Sequence, residues 1–254
     1  MKTCRIFLSL LFLTSLVLFL TFVEGNFIAS AETLFFDDFE DGKIDKAFKF
    51  TGQDPKWVEK GGALSQTKKN VGDVCHAIIV DREYPKAITI QAKLRVDEWE
   101  SGAYARSGIS VRVNLEGNGL CFLFSDHRVA KPRTGAAFLN DHVAWGPLVQ
   151  YEWDVKGWYW FQLQIDAKDK MYAKIWEDGK KEPKKWLAEI DSKIGLGGTR
   201  EGYPGLNGSS GNGGGQSLVS YDEVEVWDVG GPAPRPVEPA GKLSLTWGEI
   251  KVGF

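Results

Sequence analysis

The sequence predicts an all-β protein built as a two-sheet antiparallel sandwich of the jelly-roll kind. Three observations carry that prediction. Glycine is abundant (29 of 254 residues) and aromatic residues make up 13% of the chain, without the long Ala/Leu/Glu/Lys blocks that favour helices. Apolar and polar residues alternate with period two through several segments, which turns one side of a strand to a core and the other away. Short turn signals separate those segments: Asp41-Gly42, Gly61-Gly62, Gly117-Asn118-Gly119 and Asp178-Gly179.

At the N-terminus, Lys2 and Arg5 precede an apolar run from Ile6 to Val23, and Ala29-Ser30-Ala31 places small residues at a cleavage-type spacing. This is the three-part pattern of a secretory signal peptide over residues 1–31. The run is also long enough to anchor the chain in a membrane, but the Ala-x-Ala ending favours export. No later stretch is long enough to span a bilayer, so the mature chain is expected to be secreted, extracellular or at the periplasmic or cell surface, and off the membrane after cleavage.

Each predicted strand follows from its alternation. Between Ala87 and Val96, Ile88, Ile90, Ala92, Leu94 and Val96 share one face, and Thr89, Gln91, Lys93 and Arg95 the other. In Ser107–Val113, Ile109, Val111 and Val113 oppose Ser110 and Arg112. In Trp158–Ile165, Tyr159, Phe161, Leu163 and Ile165 oppose Trp158, Trp160, Gln162 and Gln164. Met171, Ala173 and Ile175 oppose Tyr172, Lys174 and Trp176, and a last strand over Leu218–Trp227 turns Val224 and Val226 inward. Such strands bury one face only. The segment Gly195–Gly215 holds ten glycines in 21 residues and reads as a long loop. Residues 230–240 carry Pro232, Pro234, Pro236 and Pro239, a stiff linker. The organisation is thus a jelly-roll domain over 32–229, a linker over 230–240 and a short aromatic tail over 241–254.

Two cysteines remain after the leader, Cys75 and Cys121. Bridged, they would stabilise the fold by about 4 kcal/mol in the chain-entropy model; both also lie in apolar runs, as buried free thiols do. The charge balance of 31 basic against 34 acidic residues gives no electrostatic ground for binding nucleic acid.

The order of elements is distinctive. Phe35-Phe36-Asp37-Asp38-Phe39-Glu40-Asp41-Gly42 is followed by Trp57-Val58-Glu59-Lys60-Gly61-Gly62-Ala63-Leu64. Then come Ile88–Val96, Gly157-Trp158-Tyr159-Trp160-Phe161 and Tyr221-Asp222-Glu223-Val224-Glu225-Val226. This order resembles the concanavalin A-like lectin/glucanase superfamily over residues 33–229. Within it the chain looks most like laminin-G-like and 3-keto-disaccharide hydrolase-type domains of secreted bacterial proteins. The resemblance implies two curved sheets with a concave, sugar-facing side. It also implies a structural calcium ion near the adjoining first and last strands, where Asp38, Glu40 and Asp222 are the matching acidic positions. The hydrolase-type strand Asn-Ser-Gly-Ile-x-x-Arg is matched here at Ser107, Gly108, Ile109 and Arg112, with Arg106 in place of asparagine. That match implies a place for Arg112 in the groove.

Catalysis is poorly supported by the residues. A glycosidase needs two carboxylates about 5–5.5 Å or 6.5–9.5 Å apart. The nearest approach to the superfamily's Glu-x-Asp-x-Glu strand is Glu152-Trp153-Asp154-Val155-Lys156, in which lysine replaces the third acid. Glu152 and Asp154 are therefore the catalytic candidates of a secondary reading, a saccharide hydrolase or lyase of the 3-keto-disaccharide type. His76, His127 and His142 carry no metal-ligand spacing. Binding has more to draw on, because sugar C–H faces stack on aromatic rings and guanidinium groups hold sugar oxygens. Trp158, Trp160 and Trp176 occupy non-core faces, Arg106 and Arg112 share another strand, and Trp99, Tyr104 and Trp145 sit near turns. The primary reading is a secreted, non-catalytic carbohydrate-binding or adhesion module that recognises a polysaccharide or oligosaccharide. A third is a cell-surface protein whose tail docks a partner.

Overall fold

A computed structural model of the chain describes residues 32–72, 75–102, 105–198, 200–209 and 214–229. The leader, the proline-rich linker, the aromatic tail and Tyr104 lie outside the described residues.

Among the described residues, fifteen strands account for nearly all the regular structure. In chain order they are β1 (Thr33–Asp37), β2 (Phe48–Phe50), β3 (Trp57–Glu59), β4 (Leu64–Gln66), β5 (His76–Ile79), β6 (Ile88–Glu100), β7 (Arg106–Val113) and β8 (Leu120–Ser125). There follow β9 (Gly135–Asn140), β10 (Ala144–Gln150), β11 (Trp158–Ile165), β12 (Lys170–Glu177), β13 (Ala188–Asp191), β14 (Tyr203–Ser209) and β15 (Gln216–Asp228). One four-residue helix, α1 (Ser192–Gly195), is capped by the Asp191 carboxylate, which accepts from the amides of Lys193 and Ile194.

The strands form two antiparallel sheets in a jelly-roll sandwich. The first sheet runs β13-β12-β11-β6-β15-β4-β3, with β1 paired to β15; the second runs β10-β9-β8-β7-β14-β5-β2. The first and last strands therefore lie side by side. The core between the sheets is the one the alternation predicts. Ile88, Ile90, Ala92, Leu94 and Val96 of β6 meet Phe161 and Leu163 of β11, Val224 and Val226 of β15, and Phe122, Phe124 and Phe138 of the second sheet. Phe124 sets its edge on Phe161 (centroids 4.7 Å, 89°) and stacks on Trp153 (4.3 Å, 17°). Each such ring or branched side chain, fully buried, contributes roughly 1.5–3 kcal/mol of transfer free energy. Tyr221 of β15 reaches across to the carbonyl oxygens of Gly108 (2.6 Å) and Asn207 (2.7 Å), tying the sheets together.

Two expectations are corrected, and the open alternative for the cysteines is decided. Gly195–Gly215 is not one long loop: it contains α1's end and β14, which pairs with both β7 and β5 in the middle of the second sheet. Its glycines permit close approach. A Cβ at Gly202, where φ is +152°, would lie 2.2 Å from the Val113 carbonyl oxygen, and one at Gly208 would lie 2.9 Å from Val219. Secondly, one-face burial holds for much of the first sheet, where β11 alternates, but every residue of β7, β8 and β9 is buried. These strands pack on both sides, which is why β8 and β9 read as apolar runs without period. Cys75 and Cys121 are both free and buried. Cys75 belongs to the core between the sheets, whereas Cys121 packs with Leu123 and Leu139 on the outer side of the second sheet. The sheet itself separates the two sulfurs.

Candidate functional site

The outer side of the second sheet carries a polar cluster with a carboxylate at its centre. Asp141, fully buried, follows β9 directly. Its Oδ1 lies 3.3 Å from the Arg106 guanidinium of β7. Its Oδ2 accepts from the Cys121 thiol (3.2 Å) and the Gly119 amide (3.3 Å), with the His76 ring 3.4 Å away. Asn207 of β14 meets the same ring nitrogen of His76 at 3.0 Å, and Ser110 donates to the Cys121 sulfur at 3.3 Å. Period two explains the meeting. Arg106, Ser110, Cys121, His76 and Asn207 each stand at positions opposite to the core residues of their strands, and antiparallel register brings those strands together. Burial, and after it the Asp141 charge, push the Cys121 thiol well above its usual range, so it serves as a donor.

Above this floor lies a groove of about 540 Å³, lined by Arg106, Arg128, Asn140, His142 and Trp145 together with small apolar residues. The Arg106 guanidinium sits over the Trp145 ring (5.1 Å), and His127 stacks on that ring (4.4 Å, 15°). Burial and then the nearby Arg128 and Arg106 charges lower the His127 pKa, favouring the neutral ring. Arg106 and Trp145, both singled out from sequence, thus meet. The sequence carried no signal for Asp141, His76, Arg128 or Asn207, whose positions are far apart along the chain.

The other sequence candidates divide among three places. Trp158, Trp160 and Trp176 lie on the outer face of the first sheet, away from Arg106. Trp160 and Trp176 are register partners and stack (6.1 Å, 13°), while Arg95 and Lys93 sit over Trp158 at 4.7 and 5.4 Å. Trp99 is a half-buried brace: it packs edge-on against Trp153 (4.8 Å, 84°) and donates to Asp126 at 2.7 Å. Glu152 and Asp154 are exposed on the loop after β10, flanking the buried Trp153, and Asp154 pairs loosely with Arg133 at 3.5 Å. Both line a separate cavity of about 420 Å³ with Arg133, Tyr159 and Glu177, whose lining does not include Arg106.

Arg112 departs from the sequence expectation. Two residues of β7 stand opposite one of β14 between Ser110 and Val113, and within this bulge Arg112 has φ of +53°. The bulge carries its guanidinium to the end of the sandwich, where it pairs with Asp169 and donates to the Lys86 carbonyl at 2.8 Å. It does not join Trp160 or Trp176, which belong to the other sheet. Arg112, Asp169, Lys193 and Arg200 line a second cavity of about 830 Å³. Lys193 and then Arg112 hold the Asp169 carboxyl down to about 2.

The set implied for calcium does not gather. Asp222 is engaged by Lys93 at 2.7 Å, Asp38 accepts from the Glu40 amide at 3.3 Å, and Glu40 packs over Gly62. Among the described residues, one group of three metal-ligand side chains comes together, His76, Cys121 and Asp141, with atoms within 4.8 Å. That nitrogen, sulfur and oxygen set suits a transition metal such as zinc rather than calcium. Its hydrogen bonds already satisfy both Asp141 oxygens.

No protein-family model matches the sequence, and no curated protein matches it at a significant level. Solved structures do match. A variant of the GH43 protein BlXynB from Bacillus licheniformis is 15% identical with a TM-score of 0.53, the match covering 76% of this chain and 39% of that one. A xylan beta-1,4-xylosidase from Bacillus halodurans C-125 is 11% identical with the same TM-score and coverage. The cellulose induced protein Cip1 is 11% identical with a TM-score of 0.53, over 76% of this chain and 96% of that one. The chain spans about two fifths of the first two proteins and nearly all of the third. At these identities the likeness is one of fold: a two-sheet antiparallel β-sandwich.

Proposed function

We propose that this chain is an exported, non-catalytic carbohydrate-binding module that seats a saccharide in the groove over the second sheet. The carrying observation is the pairing of a fixed guanidinium with an indole at that groove: Arg106, braced by Asp141, over the ring of Trp145. An indole offers a face to sugar C–H groups and a guanidinium holds vicinal oxygens. The donors are set before the ligand arrives, which lowers the ordering cost of binding. The lining of the groove includes no carboxylate side chain, and Asp141 beneath it is occupied by three donors, Arg106, Gly119 and Cys121. This supports binding over glycoside hydrolysis, which calls for two facing carboxylates. The fold shared with the xylosidase and with Cip1 is consistent with a saccharide ligand. The leader pattern of residues 1–31 is the ground for export, and no helix among the described residues is long and apolar enough to cross a membrane.

The test is a glycan array followed by calorimetry on any hit, with wild type and Trp145→Ala side by side. Binding without product release, weakened roughly tenfold or more by Trp145→Ala, is the expected result. Equal affinity of the two proteins would move the site away from the groove. Release of reducing ends would replace the binding reading with the hydrolase reading.

A further inference from the structure

We infer that the saccharide taken up is anionic, a polymer carrying carboxylate or sulfate groups along its length; this rests on the groove reading above. The charge of the lining points to it. The groove presents Arg106, Arg128 and His142 and no acidic side chain, in a chain whose net charge is −3. The larger cavity adds Lys86, Arg112, Lys193 and Arg200 against Glu83, Asp169 and Glu201. Cations therefore outnumber carboxylates across the two linings although the whole molecule is acidic.

Arg200 joins the two spaces. It lines the larger cavity, yet its Nε donates to the Asn140 side chain (2.5 Å) and its terminal nitrogen to the Asp141 carbonyl (2.6 Å). Asn140 in turn lines the groove. Both acceptors are uncharged, so the guanidinium is held in place without being neutralised by these contacts. Arg128 is exposed at φ +62° on the turn after β8. Among the described residues neither Arg128 nor Arg200 forms an ion pair. A guanidinium fixed by neutral acceptors in a half-buried setting attracts an anion more strongly than a solvated, mobile one. Its planar fork fits the two oxygens of a carboxylate or a sulfate ester. The arrangement extends beyond one residue's reach, from Arg128 past Arg106 to Arg200, which suits a chain bearing repeated charges rather than a single small anion.

The experiment measures the affinity of the full chain for three probes of equal length: an oligogalacturonate, a sulfated galactan oligosaccharide and a neutral xylo-oligosaccharide, each at low and high salt. At least tenfold tighter binding of one or both acidic probes is expected, shrinking as salt screens the groove. Preference for the first probe assigns the anion as carboxylate, and for the second as sulfate. Arg128→Gln and Arg200→Gln should each erase roughly tenfold of that preference. Arg128 is exposed, so its variant remains informative if Arg200→Gln folds poorly. Equal, salt-independent binding of the acidic and neutral probes overturns this inference and leaves the groove reading standing. Binding of none of the saccharides overturns both. Equally tight binding of a single-stranded oligonucleotide of matched charge overturns the saccharide assignment.

Discussion

On the outer face of the first sheet, Trp158, Trp160 and Trp176 lie along two neighbouring strands, held by one another and by Lys93 and Arg95. On the outer face of the second sheet the arrangement is inverted. There the charges, Arg106 and Asp141, are buried, and the indole of Trp145 stands half-buried at the rim above them. The first face resembles a stacked surface that screens its own strands, since Trp160 also spends its N–H on Asp178 at 3.0 Å. The second resembles a built pocket, in which donors are fixed by partners beneath the surface. Aromatic content alone does not separate the two; what separates them is where the charge is held. A buried pair is costly to desolvate, and removing one member leaves the other charge uncompensated, so its presence marks the face where directed polar contacts matter.

The strongest way to break this comparison is to remove the central carboxylate. Asp141→Ala leaves the Arg106 guanidinium buried without its partner and strips the acceptor from the Cys121 thiol and the Gly119 amide. Losing one member of a buried pair costs about 3–5 kcal/mol, or a fall in Tm on the order of 10 °C for a domain of this size. Trp160→Ala, on the other face, removes a half-buried ring and an exposed hydrogen bond, with an expected cost of about 1 kcal/mol. Thermal unfolding of the two variants measures the contrast. Similar Tm values would mean that Asp141 is no more integral to the fold than a surface indole.

Ligand binding sharpens the same contrast at smaller energy. Trp145→Ala should weaken saccharide binding by about 1.5 kcal/mol, and Trp160→Ala should leave it within twofold. Calorimetry with the best array ligand reads both. The reverse ranking would transfer the site to the first sheet, where Trp158, Trp160 and Trp176 would form the platform.

How far each face could be read from sequence follows from its physics. The first sheet's long strands bury one side and solvate the other, so period two was visible in Ile88–Val96 and Trp158–Ile165, and the structure keeps those faces. Strands β7, β8 and β9 of the second sheet are buried on both sides, which removes the alternation from Leu120–Ser125 and Gly135–Asn140 and hides them in apolar runs. Strand β14 was hidden differently, because the glycines that admit Val113 and Val219 so closely are the residues that read as a loop. The site was half legible. Arg106 and Trp145 stood out as residue types, but Asp141, His76 and Asn207 reach them only through strand pairing, which the linear sequence does not encode locally. Arg112 was misplaced because alternation counts residues, and one extra residue in a bulge redirects everything at that point.

Arg112 also supplies the most pH-dependent effect, through its pairing with Asp169. Asp169 is held by Lys193 at 2.6 Å and by Arg112, and together they bring its carboxyl down to about 2 from an ordinary value of 3.8. A carboxyl depressed in the folded state binds fewer protons there than in the unfolded chain between those values. Its contribution is therefore complete above about pH 4 and is lost as pH falls towards 2. The linkage amounts to about 2 kcal/mol at most, less whatever water screens at the cavity. Asp169→Asn cannot ionise and should lower stability at pH 5 while flattening the acid limb. Urea unfolding at pH 5, 3 and 2 should show wild type and Asp169→Asn converging as the pH falls. Parallel curves would mean that the Arg112–Asp169–Lys193 contact adds nothing to the fold, and Arg112 would again be available to a ligand.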